Sequence, residues 1–99
     1  MASCTEVVIY KVTKENFSRV LTLSQAIIDE MNAAECVITS YEILQNTDNL
    51  EEICWYLTWV SEKAAKLSAE KWSTLPSAKA LMSFVDEKLY FGHFVAVIK

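Results

Sequence analysis

A chain of 99 residues, 53% hydrophobic and with a net charge of −4, has Arg19 as its only arginine; no basic stripe exists to neutralise phosphates, which excludes nucleic acid as a partner. No apolar run approaches the roughly 18 residues of a spanning helix. The opening Met-Ala-Ser-Cys-Thr-Glu has neither a basic leader nor a hydrophobic export region, so the expected setting is the cytoplasm, without a membrane partner.

One glycine and one proline predict long regular elements and a single domain over residues 1–99. Thr5 to Val12 alternates Val7, Ile9 and Lys11 against Glu6, Val8, Tyr10 and Val12, a first strand. Thr13 is placed to cap a helix whose stripe is Phe17, Val20, Leu21, Ser24, Ile27, Ile28 and Met31; Arg19, Asp29 and Glu30 fall on its solvated side. Cys36 to Gln45 returns to period two, the cluster Asn46-Thr47-Asp48-Asn49 reverses the chain, and Leu50 to Trp59 pairs back as a hairpin. Ser61 caps a second helix that Leu75-Pro76 interrupts, Ser77 caps a short restart, and Tyr90 to Ile98 forms a fourth strand.

The order β-α-β-β-α-β is an α+β, ferredoxin-like sandwich whose right-handed crossovers place both helices on one side of the sheet. The other side stays apolar: in the last strand Phe91, His93, Val95 and Val97 alternate with Gly92, Phe94, Ala96 and Ile98. An antiparallel sheet normally keeps one face wet and polar. A second copy of the chain is the expected cover, which makes the predicted assembly a homodimer, a dimeric α/β barrel. Cys4, Cys36 and Cys54 are odd in number and lack C-x-x-C spacing, so they read as small reduced hydrophobes within strands.

The segment Trp59-Val60-Ser61-Glu62-Lys63-Ala64, closing a strand and opening a helix, resembles the dimeric α/β-barrel superfamily, in particular the antibiotic-biosynthesis monooxygenase group. Lys11-Val12-Thr13-Lys14, Leu75-Pro76-Ser77 and the final strand extend the likeness over nearly the whole chain. The resemblance implies a homodimer with a pocket between sheet and helices in each protomer, and a Trp at the position of Trp59 lining it. The haem-degrading branch of that superfamily has an Asn where this chain has Val8 and a His where it has Ser68-Ala69-Glu70, so haem degradation is disfavoured.

His93, the single histidine, is the one candidate for acid-base chemistry, with a structural role in the core or at the dimer interface as the alternative. Trp55, Trp59 and Trp72, with Phe17, Met31 and Met82, read either as the wall of a ligand pocket or as core filling; Tyr10 and Tyr41 supply phenols able to anchor a polar end. The chain has no phosphate-cradling glycine loop, no H-E-x-x-H and no G-x-S-x-G, so neither a cofactor nor a metal is expected. The leading expectation is a homodimer that binds a small, largely apolar molecule, aromatic or acyl. Its rivals are a cofactor-independent monooxygenase acting on an aromatic substrate and a structural or regulatory dimerisation module.

Overall fold

A computed structural model describes residues 2–98. Its elements are β1 (Cys4–Lys11), α1 (Phe17–Met31), β2 (Ile38–Gln45), β3 (Glu52–Trp59), α2 (Glu62–Glu70), α3 (Ala78–Phe84) and β4 (Glu87–Phe94), with short 3-10 turns at Lys14–Asn16 and Trp72–Thr74. The four strands form one antiparallel sheet in the order β2-β3-β1-β4. This is the ferredoxin-like arrangement, with the first strand at the centre and each half of the chain crossing over a neighbour.

Alternation along β1 and β3 sorts the side chains cleanly. Cys4, Glu6, Val8 and Tyr10 of β1, and Ile53, Trp55, Leu57 and Trp59 of β3, are buried under the helices. They meet Val20, Ser24, Ile27 and Ile28 of α1, Ala65 of α2 and Leu81 of α3. Ser24, a polar residue in an apolar stripe, is accounted for by a relay: the Trp55 indole N–H donates to its Oγ at 3.0 Å, and that hydroxyl donates to the Val20 carbonyl at 2.6 Å. A buried indole otherwise has an unsatisfied donor, so Ser24 removes a desolvation cost.

Turn chemistry does what its residues predict. The Asn46 side chain accepts from the backbone N–H of Asp48, Asn49 accepts from that of Glu51, and Ser61 Oγ accepts from that of Ala64 as an N-cap. Asn32 supplies a tie the periodicity does not reveal. Its side-chain oxygen accepts from the N–H groups of Val37 and Ile38, and its amide donates to the Ile38 carbonyl, fastening the end of α1 to the start of β2.

Several expectations need correction. Thr13 does not cap with its side chain, because its hydroxyl oxygen accepts from the Asn16 amide instead. The second helix ends at Glu70, before Pro76, by way of the Trp72–Thr74 turn. Ser77 makes no side-chain cap, and Glu30 is not merely solvated: its carboxylate accepts from both the hydroxyl and the backbone N–H of Ser77, so α1 caps the entry to α3. Cys36 lies exposed in the loop before β2, outside any strand. Strand β4 starts three residues earlier than expected and ends four earlier, and Val97 and Ile98 beyond it are 92% and 88% exposed.

Two register shifts re-sort side chains between faces. One near Thr39 puts Ile38, Tyr41 and Ile43 on the helix side together. The other, at Leu89, aligns Lys88 with Tyr10 rather than leaving it on the open side. A bulge inserts one unpaired residue and so inverts the alternation on one side of it.

The face away from the helices is apolar and uncovered. Val7, Ile9 and Cys54 are half-buried, while Tyr56, Tyr90 and Phe94 are 43%, 44% and 47% exposed. Tyr90 and Phe94 stack with ring centroids 6.3 Å apart. Gly92 between them makes room: a Cβ there would stand 2.8 Å from the Tyr90 hydroxyl. Among the described residues no helix is long and apolar enough to cross a membrane.

Candidate functional site

A cavity of about 210 Å³ opens between the helix side of the sheet and the helices. Strand β1 contributes Glu6, Val8 and Tyr10 to it, β3 contributes Trp55 and Trp59, and β4 contributes Lys88 and Phe91; Met31, Ala69, Trp72 and Met82 close it from above. The period of two along β1 and β3 is what aims alternate side chains at one space. Trp55 is the hub of the wall. The Tyr10 ring meets it edge-on at 5.4 Å and Trp72 at 6.1 Å.

Of the residues singled out from sequence, Trp55, Trp59, Trp72, Tyr10, Met31 and Met82 come together around this cavity. Phe17 and Tyr41 do not. Phe17 packs on the core at the first turn of α1, and Tyr41, on the edge strand, points its hydroxyl at Gln25 Oε1, 3.1 Å away and exposed. Their period placed them on the helix side, but only the position along the strand and helix decides which of those residues reach the cavity.

His93 stands behind the wall and is joined to it through Glu6. Its Nε2 lies 2.8 Å from Glu6 Oε1, with both side chains 8% exposed, and its ring meets Phe91 edge-on at 5.1 Å. Burial pushes the Glu6 carboxyl above its ordinary range, while the hydrogen bond and charge of His93 and the nearby Trp59 indole pull it back. The net direction is upward. Burial, reinforced by the Glu6 charge, raises the Tyr10 phenol as well, so Tyr10 stays a neutral hydroxyl.

Two neighbouring polar groups of the wall, the Trp59 indole and the Glu6 carboxylate, keep hydrogen-bonding capacity in reserve among the described residues. The Trp59 indole N–H is fully buried and makes no close hydrogen bond, but it faces the Glu6 carboxylate nearly enough to favour its charge. Glu6 uses only Oε1 in a hydrogen bond. The cavity is therefore an aromatic box with one polar corner, in which an acceptor and a donor sit close together. Lys88 adds a positive charge, its Nζ lying 5.2 Å from the centroid of the Phe91 ring.

Sequence reasoning missed Glu6, Lys88 and Phe91 as members of the site. Glu6 carried a signal: it is the one acid in the buried series Cys4, Glu6, Val8, Tyr10, and a lone acid on a core face needs a partner. Lys88 had none, since the bulge at Leu89 is what turns it inward. Among the described residues no group of three His, Cys, Asp or Glu side chains is close enough to hold a metal.

No protein-family model matches the chain, and no curated protein matches it significantly. Solved structures do resemble it. SnoaB, a cofactor-independent oxygenase from Streptomyces nogalater, superposes in a variant form with a TM-score of 0.74 at 18% identity, covering 100% of this chain and 97% of that one. An antibiotic biosynthesis monooxygenase of Chloroflexus aurantiacus, so described provisionally, gives 0.72 at 15% identity over 99% and 96% of the two chains. A dimeric ferredoxin-like protein from an uncultured marine organism gives 0.72 at 14% identity over 100% and 91%. At these identities the common property is the fold, and the chain has the ferredoxin-like fold found in antibiotic biosynthesis monooxygenases and their dimeric structural neighbours.

Proposed function

We propose that this chain is a homodimeric binding protein for a small, largely apolar ligand held between sheet and helices. The observation that carries the proposal is the cavity itself: about 210 Å³ walled by Trp55, Trp59, Trp72 and Tyr10, with Glu6 and Lys88 as the charged members of a largely apolar lining. Ligand sites are typically concave and apolar with a few convergent polar groups. A cavity of about 150 Å³ suffices for benzene, so one or two fused rings suit this one. Flat indole walls favour an aromatic body over a flexible acyl chain, which would lose more rotational freedom on binding. An open cavity also speaks against a dimerisation module with a filled core.

The dimer rests on the uncovered face. Val7, Ile9, Tyr56, Tyr90 and Phe94 form a contiguous apolar surface, and a second sheet packed face to face would remove it from water. The test of the ligand reading is calorimetric titration of Trp59→Ala with small arenes: weaker binding with the dimer intact is expected, and unchanged affinity counts against it.

A second reading is a cofactor-independent monooxygenase acting on an aromatic substrate. The Glu6–His93 pair at the cavity wall favours it, because a buried carboxylate joined to an imidazole is suited to accept a substrate proton. The likeness to SnoaB supports it at the level of fold. Oxygen consumption with electron-rich phenolic arenes, abolished in Glu6→Gln, is the expected result under that reading.

A further inference from the structure

The polar corner constrains the ligand's chemistry further than its apolar body does, and this step rests on the cavity being a ligand site. Glu6 and Trp59 both line the cavity, and they offer complementary functions: a carboxylate that uses only Oε1 in a close hydrogen bond and, facing it, a buried indole N–H that makes no close bond of its own. We infer that Glu6, oriented by His93, selects a ligand bearing an uncharged hydroxyl on a flat one- or two-ring body, the hydroxyl donating to Glu6 while its oxygen accepts from the Trp59 N–H.

A hydroxyl is the smallest group able to answer both at once. A ligand carboxylate would meet the Glu6 charge across the corner, and a ketone or ether would satisfy Trp59 alone. The pairing with His93 matters because it holds one carboxylate oxygen in place at 2.8 Å and so leaves the other directed by geometry rather than free to rotate. Lys88 also lines the cavity, but its charge does not distinguish an uncharged hydroxyl from its methyl ether. Tyr10, a neutral hydroxyl, can accept from a naphthol O–H as well, and a ratio that survives in Glu6→Gln would mark it rather than Glu6 as the selecting group.

The experiment compares 2-naphthol, 2-methoxynaphthalene and 2-methylnaphthalene by calorimetry at neutral pH, where the naphthol is uncharged. In the unaltered protein 2-naphthol should bind about tenfold or more tightly than its methyl ether, the scale of a hydrogen bond to a charged group. In Glu6→Gln that ratio should fall to roughly threefold or less. In Trp59→Phe the naphthol and the ether should weaken together, since both oxygens accept, while 2-methylnaphthalene changes least. Equal binding of naphthol and ether, or a ratio unaltered in Glu6→Gln, overturns the inference and leaves the apolar site standing. Failure of all three arenes to bind overturns both.

Discussion

The two faces of one sheet differ in nearly everything except hydrophobicity. Trp55 and Tyr56 are neighbours in β3, yet Trp55 is buried with its indole bonded to Ser24, and Tyr56 is 43% exposed. The helix side hides Glu6, backed by His93, in the wall of an aromatic box; the open side shows aromatic rings with nothing over them. Burial by itself therefore does not mark function here. The covered face stores a cavity and an ionisable pair that demand mutual satisfaction, whereas the open face stores only area.

That contrast is sharpest in stability. Trp55→Ala should lose about 3–5 kcal/mol in chemical denaturation, because it empties the hub of the core and orphans Ser24. Tyr56→Ala, one residue on, should change the stability of the dilute protein by no more than about 0.5 kcal/mol. In the proposed dimer the effect of Tyr56 belongs instead to assembly: Tyr56→Lys with Phe94→Lys should yield a monomer in sedimentation velocity where the unaltered protein sediments as a dimer, since two charges on an apolar interface go uncompensated.

Next in size is the buried pair. His93→Ala leaves the Glu6 carboxylate without its donor and should cost about 1–3 kcal/mol, with much of the loss recovered when Glu6→Gln is added. Ser24→Ala should cost about 1–2 kcal/mol by leaving the Trp55 N–H unpaired, without altering the proposed dimer. A smaller effect follows pH. Because the folded Glu6 carboxyl lies above its unfolded value, the folded state binds the extra proton between those two values, and stability must fall as pH rises through that window. Glu6→Gln should flatten that part of the stability profile, measured by urea titration at a series of pH values; an unchanged slope would assign it to another group.

Much of the fold was legible because the relevant signals are local. Period two in Thr5 to Val12, the four turn formers at residues 46–49 and the Ser61 cap each act within a few residues of themselves, and each appears where its chemistry puts it. The candidate wall was legible to the same degree: Trp55 and Trp59 share a face by alternation alone. Glu30 and Asn32 were not legible as caps and ties, because their partners lie 47 residues away in one case and across a helix-to-strand turn in the other.

What the amino-acid order determines unaided is the alternation of its strands, the stripe of its first helix and the surplus of apolar surface that follows from both. Tertiary structure alone decides where that alternation slips. The bulge at Leu89 turns Lys88 into the cavity and the shift near Thr39 joins Ile38 to Tyr41, since each depends on how a strand meets its neighbour. It also decides that Glu6 meets His93, 87 positions later, because opposite residues of antiparallel strands share a face only once the register is set.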